Sequence, residues 1–87
     1  MKKEKLCVGD VVEITNSYWY GDLNEGDEDI GTQAIITEID TTPCRQYALF
    51  HIKDGNETAW WDDDQLRFIR RSKRGELEEL KTKFARR

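Results

Sequence analysis

The sequence predicts a small all-β fold, an antiparallel barrel of about five strands followed by a C-terminal amphipathic helix. Three observations predict it. The stretch Tyr47 to Ile69, YALFHIKDGNETAWWDDDQLRFI, carries strand, turn, strand and short-turn signals in unbroken succession. Two further segments rich in β-branched residues precede it, with no alternation of strand and helix that would build a parallel sheet. Beyond Ser72 the pattern changes, and apolar residues recur at helical spacing. The chain has 87 residues, enough for one core and no more, since a chain of this size buries only about 60 to 65% of the surface it exposes when unfolded.

Met1 to Leu6 is lysine-rich and too poor in apolar residues to dock itself. Cys7 to Thr15 (CVGDVVEIT) is the first strand. Gly9-Asp10 turns the chain, after which Val12 and Ile14 face one side and Val11 and Glu13 the other. Residues 16–31 form a loop longer than most connections, a length usually associated with function or motion. Thr32 to Ile39 (TQAIITEI) is the second strand, and Pro43 marks an exposed connection. Ala48, Phe50 and Ile52 then alternate with Tyr47, Leu49 and His51, so that both faces of the third strand carry bulk. Asp54-Gly55 supplies a turn in which glycine accepts positive φ. Thr58 to Trp61 returns as a strand, Asp62 to Leu66 makes a 3₁₀ turn, and Leu66, Phe68 and Ile69 open the last strand. Leu77, Leu80 and Phe84 share one face of the closing helix. Ser72 or Gly75 can cap its start, and its acidic first half and basic second half match the helix dipole. So short a helix needs a surface to pack on, either the barrel or a second copy in a homodimer. The expected division is a barrel over residues 1–71 and a basic helical tail over 72–87.

The net charge of −4 hides a split. Residues 1–69 hold 6 Lys/Arg against 15 Asp/Glu, and residues 70–87 hold 8 against 3. An acidic body carries a basic tail, an asymmetry that suits partners of opposite charge. Cys7 and Cys44 lie far apart without paired spacing, which fits reduced thiols in a cytoplasmic protein better than a disulfide framework. No apolar stretch is long enough to span a membrane, and no apolar core follows Met1-Lys2-Lys3 as a signal peptide requires.

The order Gly9-Asp10-x-Val12, a loop, Gly31-Thr32-x-Ala34, a hairpin turning at Asp54-Gly55, then Trp60-Trp61 and Leu66, is similar to many SH3-like modules. Within that group SYWYGD at Ser17 to Asp22, resumed at Gly31-Thr32-Gln33-Ala34 and closing on Ile39-Asp40, resembles the photosystem I accessory subunit family PsaE. The resemblance implies a barrel and a role as a small accessory subunit. Leu23 to Ile30 is an acidic insertion relative to that family, Ala48 stands where the family tends to carry proline, and the basic tail has no counterpart. Because the body is acidic, the family's basic surface toward ferredoxin is not implied here, nor is a place in photosynthesis.

Five constellations are candidates for function. Tyr18, Trp19, Tyr20, Trp60 and Trp61 are the aromatic set, and rings of this kind anchor interfaces because they bury large area with few rotatable bonds. If Trp60 and Trp61 share a strand, one is core and the other outward. Asp22, Glu25, Asp27, Glu28 and Asp29 make the loop acidic, but Gly26 stands where a calcium loop needs a ligand, so no metal is expected. Asp62, Asp63 and Asp64 extend the carboxylates into a ridge able to imitate a phosphate backbone. His51, Cys7 and Cys44 do not make a thiol centre, since an acidic body raises a thiol's pKa instead of depressing it. The arginines and lysines of the tail could touch polyanions, but the stripe Leu77, Leu80 and Phe84 interrupts them and suits protein packing.

The expectation is a non-catalytic SH3-like interaction module, an accessory or regulatory subunit without cofactor, binding a protein with a basic patch. Tyr18, Trp19, Tyr20 and one of Trp60 or Trp61 would anchor, while the aspartates and glutamates of 22–29 and 62–64 would steer. The alternatives are an acidic inhibitor that mimics nucleic acid, encoded by a mobile element, and direct nucleic-acid binding through the tail, the least favoured because an acidic barrel repels polyanions.

Overall fold

A computed structural model describes residues 5–15, 30–42 and 45–85. It is mostly β, as expected: five antiparallel strands curl into a half-barrel and one helix follows. The strands are β1 (Asp10–Ile14), β2 (Gln33–Asp40), β3 (Gln46–His51), β4 (Trp61–Asp62) and β5 (Leu66–Arg71), in the sheet order β4-β3-β2-β1-β5. A 3₁₀ turn, Asp63–Gln65, joins β4 to β5, and the helix α1 spans Glu76–Ala85.

Cys7 to Gly9, expected as the start of the first strand, instead form a turn into β1. The Asp10 N–H donates to the Cys7 carbonyl (3.0 Å), the Cys7 N–H donates back to Asp10 Oδ2 (2.9 Å), and Gly9 has φ 95°. The Asp10 carboxylate is 2% exposed, with Arg71 Nε 3.6 Å from its other oxygen.

Alternation decides what each face buries. Directly paired residues share a face, so the pairs Val12↔Ala34, Ile36↔Leu49, Ile39↔Tyr47, Tyr47↔Trp61 and Ile14↔Leu66 define the inside of the curl. These residues and Leu6 form the hydrophobic core. The outward face carries a second apolar row that runs across the strands: Arg70, Val11, Ile35, Phe50 and Glu57 are successive cross-strand partners.

The helix lies along that row. At its start Arg70 donates to both carboxylate oxygens of Glu76 (2.8 and 3.0 Å). Near its end the Phe84 ring meets Phe50 edge-on with centroids 6.1 Å apart, and Lys81 reaches Glu57 at 3.9 Å. Ten residues of helix span about 15 Å and four inter-strand steps about 19 Å, so α1 crosses the sheet from β5 to β3. Leu77, Leu80 and Phe84 are half-buried, while Val11 and Ile35 on the row between the helix's two anchor points are fully buried. The bulk that the sequence places on both faces of β3 therefore has two destinations, with Leu49 in the curl and Phe50 against Phe84.

Gly75 precedes the helix at φ 81°, and its carbonyl accepts the first helical bond, from the Glu79 N–H at 2.9 Å. Glu76 reaches back to the Lys73 N–H at 2.9 Å and satisfies a backbone donor at the helix entry. No helix among the described residues is long and apolar enough to cross a membrane.

Candidate partner-binding face

The hairpin from β3 to β4 is where the structure departs most from a plain reading of the sequence. Thr58 to Trp61 does not form a continuous strand, and β4 is Trp61–Asp62 alone. The ladder holds at both ends, Tyr47↔Trp61 and Phe50↔Glu57, but Tyr47 to Phe50 is three steps and Glu57 to Trp61 is four. One extra residue must therefore bulge. Thr58 turns inward, where its hydroxyl accepts from Trp61 Nε1 at 2.7 Å. Ala59 and Trp60 are left exposed, between the positions that pair with Tyr47 and Phe50.

The two tryptophans separate accordingly. Trp61 is 1% exposed and belongs to the core, whereas Trp60 is 38% exposed. A side chain of this size at the surface beside an acidic segment is available to a partner.

Of the three aspartates that follow, Asp62 has structural duties. Its N–H donates to Gln65 Oε1 (2.8 Å) at the start of the 3₁₀ turn, and its Oδ1 accepts from Gln46 Nε2 (3.1 Å). Asp63 is half-buried and Asp64 exposed. The other proposed anchors, Tyr18, Trp19 and Tyr20, and the acidic residues Asp22, Glu25, Asp27, Glu28 and Asp29, lie outside the described residues, as does Cys44.

His51 packs inside the protein at 2% exposure, its Nδ1 3.2 Å from Asp54 Oδ1. Cys7 is an exposed free thiol. Tyr47 is fully buried, and burial raises its phenol above the usual 10 while Arg45 pulls the other way.

The cations of β5 and α1 are largely matched within the chain. Arg67 pairs with Glu13, Arg70 with Glu76, Arg71 with Asp10 and Lys81 with Glu57. In each pair the cation reaches solvent, which keeps the pair modest in energy, but each lowers the field a polyanion would meet.

No protein-family model, no curated protein and no solved structure matches this chain.

Four residues that sequence reasoning passed over, Glu38, Asp40, Gln46 and Ala48, belong to this face. Glu38 and Ala48 are cross-strand partners, as are Asp40 and Gln46, and Gln46 pairs in turn with Asp62. Ala48 was the available signal: one small residue among Tyr47, Leu49, Phe50 and His51.

Proposed function

We propose that this protein is a non-catalytic, cytoplasmic interaction module, an accessory or regulatory subunit that binds a basic surface on another protein. The observation that carries the proposal is Trp60, which stands exposed a few residues before Asp63 and Asp64 in the chain while its neighbour Trp61 fills the core. An exposed indole gives a partner apolar area and a π-face for a Lys or Arg, and carboxylates around it favour cationic approach. Two further facts support the reading. The chain's single histidine is packed inside, away from any substrate, and the arginines of β5 are engaged by the chain's own acids.

The test is affinity capture from lysate of the native host at low and high salt, with wild type, Trp60→Ala and Asp64→Lys. A protein retained at high salt and lost with Trp60→Ala supports an accessory subunit held by an aromatic anchor. Recovery of a nucleic-acid enzyme that salt releases, lost with Asp64→Lys and kept with Trp60→Ala, replaces this reading with phosphate mimicry. Asp64 is the better probe because it is exposed, whereas the Asp62 carboxylate accepts a hydrogen bond from Gln46.

A further inference from the structure

The outward face of the sheet is only partly occupied by α1, and the remainder has a defined chemistry. The helix follows the row Arg70, Val11, Ile35, Phe50 and Glu57. Two rows toward the other end of the strands lie beside it. In the first, Glu38 pairs with Ala48, and the returning chain passes at Ala59 and Trp60, between its pairings at Glu57 and Trp61; in the second, Asp40 pairs with Gln46 and Gln46 with Asp62. Gln46, Ala48 and Asp62 are half-buried, and Glu38, Asp40 and Trp60 are exposed. Ala48 gives this area a low floor. Trp60 gives it a wall.

No Lys or Arg stands among the described residues of these two rows, although the chain has 14. Lys81, the helix cation nearest in the fold, is turned to Glu57. Two bulges shape the same area. The β2–β3 register shifts between Ile36 and Glu38, and the extra residue of 58–60 faces it from the other side of β3. Bulges twist a sheet locally and re-aim side chains, and here both surround Ala48.

We propose that this shallow face, floored by Ala48, walled by Trp60 and edged by Glu38, Asp40 and Asp62, is the docking surface for a Lys- or Arg-bearing segment of a partner protein. The inference rests on the interaction-module reading and gives it a place: the basic segment lies alongside α1, its aliphatic stems on Ala48 and one cation against Trp60. Charge complementarity selects the occupant. A second copy of the chain would bring carboxylates against carboxylates, and an apolar helix would leave Glu38 and Asp40 without partners.

The experiment is titration of the isotopically labelled full chain with capped hexa-arginine, followed by amide and indole NMR, with capped hexaglutamate as control. The expected map centres on Glu38, Asp40, Gln46, Ala48 and the Trp60 indole. The variant with both Glu38→Lys and Asp40→Lys should bind at least about tenfold more weakly, and Trp60→Ala about fivefold more weakly. Unchanged spectra outside the substituted rows establish that both variants fold. Binding that maps to residues 22–29 or to Glu78 and Glu79, or that neither variant weakens, overturns this placement and leaves the basic-partner reading standing. No binding of hexa-arginine at low salt overturns both.

Discussion

Trp60 and Trp61 are the same residue one position apart, and alternation along the chain sends Trp61 into the core and leaves Trp60 exposed. Trp61→Ala removes a buried indole from the core and should cost about 3 to 5 kcal/mol. Trp60→Ala should cost under about 1 kcal/mol, since its ring is already partly in water. Urea unfolding of the two variants, read as midpoints at constant slope, checks both values; equal losses would mean that Trp60 is structural. Gly55 makes a second residue-scale point. Its φ is 68°, and a Cβ there would sit 2.2 Å from the Phe84 ring. Gly55→Ala should destabilise by about 1 to 3 kcal/mol through backbone strain and displacement of the ring. In a Phe84→Ala background the steric share disappears, so a double-mutant cycle should show the two changes to be clearly non-additive.

At the scale of elements, α1 depends on a carboxylate. Hydrogen bonds from Arg70, and then from the Lys73 N–H, hold the Glu76 carboxyl down to about 2 from its ordinary 4.5. A folded-state value below the unfolded one adds stability that is complete above the unfolded value and is lost as pH falls toward the folded one. Helix docking should therefore weaken between about pH 4.5 and pH 2, and Glu76→Gln should abolish that dependence and loosen the helix at neutral pH. Fluorescence of a reporter at Phe84, followed through an acid titration, is the measurement; an identical titration in the Gln variant would discard the latch. Much of this element was legible in advance. The spacing of Leu77, Leu80 and Phe84 defines the stripe without any tertiary information. Its seat was not, because the row from Arg70 to Glu57 gathers residues from five parts of the chain and exists only once the strands are in register. The bulge was hidden for a related reason. Alternation assigns a residue to a face, but it does not count steps on the partner strand. Likewise Ala48 reads as a weak strand residue until Glu38 is found opposite it.

For the molecule as a whole, charge and the apolar anchor should separate kinetically. Carboxylates at the rim act on encounter, and a buried ring acts on residence. With the captured partner immobilised, Glu38→Lys with Asp40→Lys should slow association and flatten its dependence on salt, while Trp60→Ala should chiefly speed dissociation. The reverse assignment would remove Trp60 as the anchor. The fold class itself was the most legible property, because strand spacing, turn residues and a terminal helix all agree on it. Charge was legible only as a sum along the chain, an acidic body and a basic tail. The pairing of Arg70, Arg71 and Lys81 with Glu76, Asp10 and Glu57 shows why counting charge along the chain overstates the tail: three of its eight cations are matched by acids of the same chain.

The four-against-three step count in the β3–β4 hairpin also bears on what lengths this chain tolerates. Removing Ala59 would leave three steps on each side, so Glu57 could still meet Phe50 and Trp61 could still meet Tyr47, with Trp60 brought directly opposite Ala48. A shortened chain of 86 residues can thus retain its core while losing the relief on its outer face. A deletion of Ala59 should therefore unfold at a urea midpoint close to that of the full chain while holding hexa-arginine more weakly.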